Sequence, residues 1–272
     1  MKKLLTGILL PFIITSCTTN AITNRRQISL LNESELQKMS TEQYSTFLSQ
    51  NKVIASSGAG KDAAAASMVR RVGERLVAAI NSYYSQKGLS KELEGYKWEY
   101  NLVDSKEVNA WCMPGGKIVV YSGLLPVTEN ETALAIVMGH EITHALAHHG
   151  NERMSQQMIA QGIGVAGGVL TSGNAQTSSI FNNVYGPSAQ VGVLLPNSRK
   201  QELEADKYGL VFAAMAGYDP QQAIPFWQRM AKAGGGQKPP ELLNTHPADE
   251  TRIQKLRELM PEALTYYKPA GK

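Results

Sequence analysis

Cysteine is nearly absent. The chain carries two, Cys17 and Cys112. Cys17 closes an N-terminal apolar run that gives it another use, which leaves Cys112 without an intramolecular partner. A disulfide scaffold is thereby excluded, and stability has to come from a packed core or from a bound metal. Net charge is small as well, +4 from 27 basic and 23 acidic residues. The basic residues are scattered, which argues against a nucleic-acid partner. Long hydrophobic runs are missing: residues 4–14 and 158–170 both fall well short of the roughly 20 residues that a spanning helix needs. No internal repeat and no mid-chain linker divides the 272 residues, so one domain is expected. With 43% hydrophobic and 18% charged residues, the composition excludes wholesale disorder.

What is present begins with an export signal. Met1-Lys2-Lys3 precedes the apolar residues 4–14, and Ile14-Thr15-Ser16-Cys17 follows. This ending resembles a bacterial lipobox, which implies cleavage before Cys17 and lipidation of that residue. The expected organisation is a lipoprotein signal peptide over residues 1–16, the lipidated Cys17 with a Thr-, Asn- and Arg-rich tether over 17–31, and a single domain over 32–272. Thr18 stands where an acidic residue can retain lipoproteins at the inner membrane, so the same resemblance favours the outer membrane.

Helical spacing marks residues 32–50 and 61–87. In the second, Val69, Val72, Leu76 and Ile80 share one side, with Arg70, Arg71, Glu74 and Arg75 largely on the other. From Tyr96 to Leu125 the period changes to two, in runs over 97–103, 108–112 and 117–122. Pro114-Gly115-Gly116 separates the last two runs, so a small sheet with a hairpin is expected. Thr128 with Glu131 reads as a capping box opening a helix through Ile136 and Val137 to His149. Another helix starts at Glu152 and gives way to a Gly-, Ser- and Asn-rich segment over 171–196. Asn197 or Ser198 caps a helix ending at Gly217, Asp219-Pro220 opens the next, and a last helix covers about 248–259. The fold class is α+β, mostly helical.

Residues 140–144 read His-Glu-Ile-Thr-His. On a helix, positions four apart differ by about 40° in azimuth, so the imidazoles of His140 and His144 converge on one ion. Glu141 sits about 100° around from His140, placed to take a proton from a water that zinc acidifies toward a pKa of about 7. Catalytic zinc usually has three protein ligands. The third histidine of the long metzincin motif would fall at position 150, which is Gly150, so that class is excluded. A carboxylate on a later helix is the alternative, and residues 198–206 supply Glu202. Asp206 lies four residues on, along the same face, where it can hydrogen-bond the outer nitrogen of a ligand histidine. Glu204 faces elsewhere and reads as a solvated helix charge.

Asn109-Ala110-Trp111-Cys112-Met113-Pro114-Gly115-Gly116, the 140–144 motif, Ser198-Arg199 with Glu202 to Asp206, and Thr245-His246-Pro247 occur in this order. Together they resemble the zinc metallopeptidases that include the CaaX prenyl protease, the mitochondrial Oma-type protease and the periplasmic BepA and LoiP proteins. The resemblance covers residues 61–259 and is nearest to the soluble lipoprotein branch. It implies a zincin-like fold of gluzincin type, with a small sheet beside the metal-binding helix. It also implies one Zn2+ held by His140, His144 and Glu202, with Glu141 as the base. Polypeptide substrates would lie as an added strand along an edge near residues 117–122.

His246 lies in a loop after the glycine-rich break. It either reaches zinc as a removable fourth ligand, donates to the transition-state oxyanion, or is an ordinary loop residue. Arg252 is a candidate partner for Asp206. His148 and His149 read as C-terminal caps of the metal helix, Asn109 as a turn residue, and Cys112 as a core residue. The expected function is a membrane-anchored periplasmic endopeptidase acting on unfolded or misassembled envelope proteins. A zinc-stabilised chaperone or assembly factor is the alternative.

Overall fold

The structure, a computed structural model, describes residues 17–161, 174–185, 198–234 and 240–269. The export signal expected over residues 1–16 lies outside the described residues, as do residues 162–173 and 186–197, which hold much of the polar segment over 171–196.

The described residues open with strands β1 (Cys17–Thr19) and β2 (Arg26–Ile28), paired antiparallel with Cys17 opposite Ile28. A loose tether is the expectation here, and the structure differs. Ile22 is buried in the main core, and Asn20 donates to the carbonyl of Leu146 at 3.3 Å. The Asn20 side-chain oxygen accepts from the backbone N–H of Ile22 and of Thr23, each at 3.1 Å. The polar residues that suggest a tether thus build a turn and its docking contact.

Helix α1 (Glu33–Gln50) starts at Asn32, whose side chain accepts from the Ser34 N–H at 3.0 Å. A two-residue strand β3 (Val53–Ile54) follows, too short for periodicity to reveal. Helix α2 (Lys61–Gln86) buries Val69, Val72, Leu76 and Ile80, the stripe its spacing predicts. Strands β4 (Glu99–Val103), β5 (Ala110–Met113) and β6 (Lys117–Tyr121) join β3 in a sheet of order β3-β4-β6-β5. The β5–β6 turn places Gly115 and Gly116 at φ +80° and +82°, where a side chain would be strained.

Strand β6 is buried along its whole length. Its alternation sends Val119 and Tyr121 to Tyr44 and Phe47 of α1, and Ile118 and Val120 to the main core with α2. The placing of residues 117–122 at an edge beside the metal helix is therefore corrected. The hairpin folds β5 onto one side of β6 and parallel pairing with β4 takes the other. The sheet edge that packs against the metal helix is β5.

Pro126 starts a short helix α3 (Leu125–Thr128), which ends at Glu129 with φ +63°. Thr128 belongs to that turn, so the cap of α4 (Glu131–Leu146) is Asn130, which accepts from the Ala133 N–H at 2.9 Å. Helix α4 is apolar all round except for its motif, and every residue from Ala133 to Leu146 is buried, as befits a central helix. Around it follow α5 (His149–Ala160), α6 (Ala175–Tyr185), α7 (Ser198–Met215), α8 (Ala223–Gly234), α9 (Glu241–Thr245) and α10 (Glu250–Tyr266). Helix α6 falls inside the polar segment and buries Ile180 and Phe181 against Met154 and Met158 of α5. Asp219 caps the turn Pro220–Gln222 ahead of α8, and Asp249 caps α10. The fold is thus mostly helical α+β with a small sheet beside the metal helix.

Candidate metal centre

Helices α4 and α7 cross where Gly139 meets Gly209. A Cβ on Gly139 would stand 2.9 Å from the carbonyl oxygen of Gly209, and one on Gly209 would stand 2.9 Å from the backbone nitrogen of His140. Glycine at both positions lets the backbones touch, and the faces carrying His140 and His144 on α4 and Glu202 and Asp206 on α7 close on one another.

The result is a buried donor set. His140 Nε2 lies 3.0 Å from His144 Nε2 and 3.3 Å from Glu202 Oε2, and His144 Nε2 lies 3.4 Å from Glu202 Oε1. Ligands at about 2.0–2.1 Å from a tetrahedral zinc stand about 3.3–3.4 Å apart, and the donor atoms of the three residues are separated by close to this, with Glu202 presenting one oxygen to each histidine. His246 Nδ1 takes the place of a fourth, 2.9 Å from Glu202 Oε2 and 3.2 Å from His140 Nε2. The four ligand atoms lie within 4.8 Å of one another.

The outer nitrogens decide what the inner ones offer. His140 Nδ1 is 3.0 Å from Asp206 Oδ1, and a carboxylate only accepts, so in the neutral ring the proton sits on Nδ1 and Nε2 keeps its lone pair. His144 Nδ1 is 2.8 Å from His149 Nδ1, and His149 Nε2 is 2.9 Å from Glu204 Oε2. Burial pushes the pKa of both His144 and His149 well below the usual imidazole range, so both rings are neutral. His149 then donates through Nε2 to Glu204 and accepts at Nδ1 from His144, and His144 Nε2 also keeps its lone pair. Two lone pairs and a carboxylate facing one point have no proton to share in that state, and they fit a metal cation.

Glu141 is buried beside this set, and its Oε1 has no hydrogen-bond partner. His246 Nε2 is 3.4 Å from it. An unpartnered buried carboxylate oxygen is costly, and a bound water would satisfy it. For Glu202, burial opposes ionisation, but the surrounding His246, His144 and His140 rings hold its carboxyl well below the carboxylate range. With no cation between them, burial opposes a charged His140, yet its bonds to Asp206 and Glu202 raise its pKa to about 9.

Arg252 fastens the far side. It grips Asp206 through Nη2 and Nε, and its Nη1 donates to the carbonyls of His246 and Pro247 at 3.3 and 3.2 Å. The guanidinium lies 3.4 Å above the Trp227 ring. One residue thus orients Asp206, and through it His140, while holding the His246 loop.

All the residues singled out for this site, His140, Glu141, His144, Glu202, Asp206, His246 and Arg252, come together. Two other readings are corrected. Glu204 is mostly buried and bound to His149 and to Arg25. His149 is the first residue of α5, fully buried against His144, because His148 turns the chain at φ +54°. Gly150, where a metzincin histidine would stand, lies under Tyr185 with no space for a Cβ. Cys112 is buried, and Asn109 bonds within its own turn at 2.9 Å. The roles of Arg25, Trp227, Gly139 and Gly209 carry no signal in spacing, since each depends on a partner far along the chain.

Comparison with known proteins accords with this geometry. Residues 63–260 match peptidase family M48. The mitochondrial metalloendopeptidase OMA1 of Saccharomyces cerevisiae is 33% identical over 182 residues, which is 64% of this chain and 50% of that protein. The human metalloendopeptidase OMA1 is 28% identical over 261 residues, 93% of this chain and 48% of that protein. The beta-barrel assembly-enhancing protease of Yersinia pestis is 32% identical over 196 residues, 70% of this chain and 37% of that protein. The chain thus spans about half the length of the mitochondrial relatives and less of the bacterial one.

Proposed function

The chain belongs to peptidase family M48, and from that membership we propose that it is a zinc metalloendopeptidase, anchored by lipid at Cys17 to a bacterial membrane and facing the periplasm. The observation that carries the activity is the donor set itself: two imidazole lone pairs and Glu202 at close to tetrahedral spacing, beside a carboxylate oxygen of Glu141 that accepts no hydrogen bond among the described residues.

Bound zinc would supply Lewis-acid polarisation of a peptide carbonyl and acidify a water to a pKa of about 7. Glu141 takes the proton of the attacking water and delivers it to the leaving amine, a role worth roughly 10²–10⁴ in rate. Asp206, backed by Arg252, holds His140 in the ligand tautomer. His246 closes the fourth corner in this conformation and excludes a water from it. Alternatively its Nε2, 3.4 Å from Glu141 Oε1, donates to the oxyanion. Polypeptide substrate adds as a strand to the β5 edge of the sheet, beside α4.

The export signal ending in Cys17 supports lipid anchoring and a periplasmic location, and Thr18 after it supports the outer membrane. Among the described residues no helix is long and apolar enough to cross a membrane. The Yersinia relative's name, beta-barrel assembly-enhancing protease, supports unfolded or misassembled envelope proteins as the substrate class.

The test is digestion of an unfolded protein by the purified chain and by its Glu141→Gln variant at equal zinc content. Cleavage by the unmutated chain alone supports the peptidase. Failure of both with zinc bound supports the alternative, a zinc-stabilised chaperone or assembly factor whose protease is latent.

A further inference from the structure

A second hydrogen-bonded path reaches the metal centre from the N-terminal hairpin, and the chemistry above does not use it. Arg25, in the β1–β2 loop, spends every side-chain nitrogen on acidic residues of the domain. Its Nε donates to Glu204 Oε1 at 2.7 Å, while Nη1 and Nη2 donate to the two oxygens of Glu152, each at 2.7 Å. The other Glu204 oxygen accepts from His149 Nε2 at 2.9 Å, and His149 Nδ1 meets His144 Nδ1 at 2.8 Å. Gln201 on α7 holds Glu152 from the far side at 2.7 Å, and Tyr208 donates to the carbonyl of Ile22.

We infer that Arg25 is a positioning residue of the metal centre: by holding Glu204 against His149 it orients His144, so the hairpin that begins at Cys17 raises the affinity of the site for its metal. This rests on the metal reading of His140, His144 and Glu202. The physical reason is geometric. Glu204 is partly open to water, with 18% of its side chain exposed, and without Arg25 its carboxylate is free to swing outward. His149 then loses the acceptor that fixes which of its nitrogens faces His144. Outer partners of ligand histidines change metal affinity by about 10–100-fold. The outer partner of His144 is His149, and Arg25 lies two hydrogen bonds beyond it, so the low end, about tenfold, is expected.

The experiment measures the zinc dissociation constant of the full chain by chelator competition, for Arg25→Ala, Glu204→Ala and the double variant, with circular dichroism to verify folding. Arg25→Ala is expected to weaken zinc about tenfold and Glu204→Ala at least as much. The double variant should be no weaker than Glu204→Ala alone. The visible spectrum of the cobalt-loaded chain should shift in both single variants, which general loosening of the hairpin would not produce. Arg25→Lys, milder to folding, should fall between the unmutated chain and Arg25→Ala. Unchanged zinc affinity in both Arg25 variants, or losses that simply add in the double variant, would overturn the inference. Failure of the unmutated chain to bind zinc or cobalt would overturn the metal reading and this inference with it.

Discussion

Arg252 and Asp206 form a two-pronged ion pair inside the protein, with Nη2–Oδ1 at 2.7 Å and Nε–Oδ2 at 2.9 Å and both side chains almost wholly shielded from water. The pair is the back wall of the metal centre. Asp206 faces His140, and the same guanidinium holds the loop of His246.

Removing Arg252 leaves Asp206 buried without its guanidinium partner, with its bond to His140 remaining. Arg252→Leu is expected to lose about 3–5 kcal/mol of stability, the usual cost of breaking a buried pair from one side. Urea unfolding of the zinc-loaded chain measures it. Arg252→Lys should recover only part, because an ammonium cannot make the fork and the two carbonyl bonds at once.

The crossing of α4 and α7 predicts that Gly209→Ala moves the ligand helices apart. Its Cβ would meet the His140 backbone, at 2.9 Å from N and 3.0 Å from Cα, and neither atom can yield without shifting α4. A stability loss of about 1–3 kcal/mol is expected from overpacking, accompanied by weaker zinc binding. Zinc titration beside thermal unfolding tests both.

Proton and metal compete for His140. In the metal-free chain its pKa is raised to about 9 from the ordinary 6.5, against the pull of burial and because of Asp206 and Glu202. A raised pKa stabilises the fold fully below pH 6.5, and the contribution is lost as pH climbs through about 9. Chelator-treated protein should therefore lose up to about 3 kcal/mol between those limits, and zinc-loaded protein should not. Zinc uptake between them should release a proton and tighten as pH rises. Unfolding and proton-release measurements across this range check it.

His246 occupies the fourth corner. His246→Ala is expected to retain less zinc in chelator, having lost one of four donors, and to cut an unfolded protein faster at saturating zinc because water gains entry. Slower cleavage at full zinc occupancy would instead mark His246 as chiefly a transition-state donor. A cleavage assay at matched zinc content decides between the two.

Much of the site was legible because it is written in helical arithmetic. His140 with His144, and Glu202 with Asp206, are each four apart, and a helix places such pairs on one face whatever surrounds it. The Pro114-Gly115-Gly116 turn and the Asp219-Pro220 start are equally local, since the backbone conformations they favour need no distant partner. The tether reading of residues 17–31 misled because composition cannot distinguish a solvated asparagine from Asn20, which folds a turn and docks on α4.

The sequence by itself picked out the pairs His140 with His144 and Glu202 with Asp206, the proposed base Glu141 and the helices that carry them, because periodicity and capping act within a few residues. Only the tertiary structure decided that Glu204 turns to His149 and Arg25, that β5 and not β6 lies against α4, and that Gly139 meets Gly209. Each of these depends on which faces of distant segments pack together, and burial over the whole chain sets that choice.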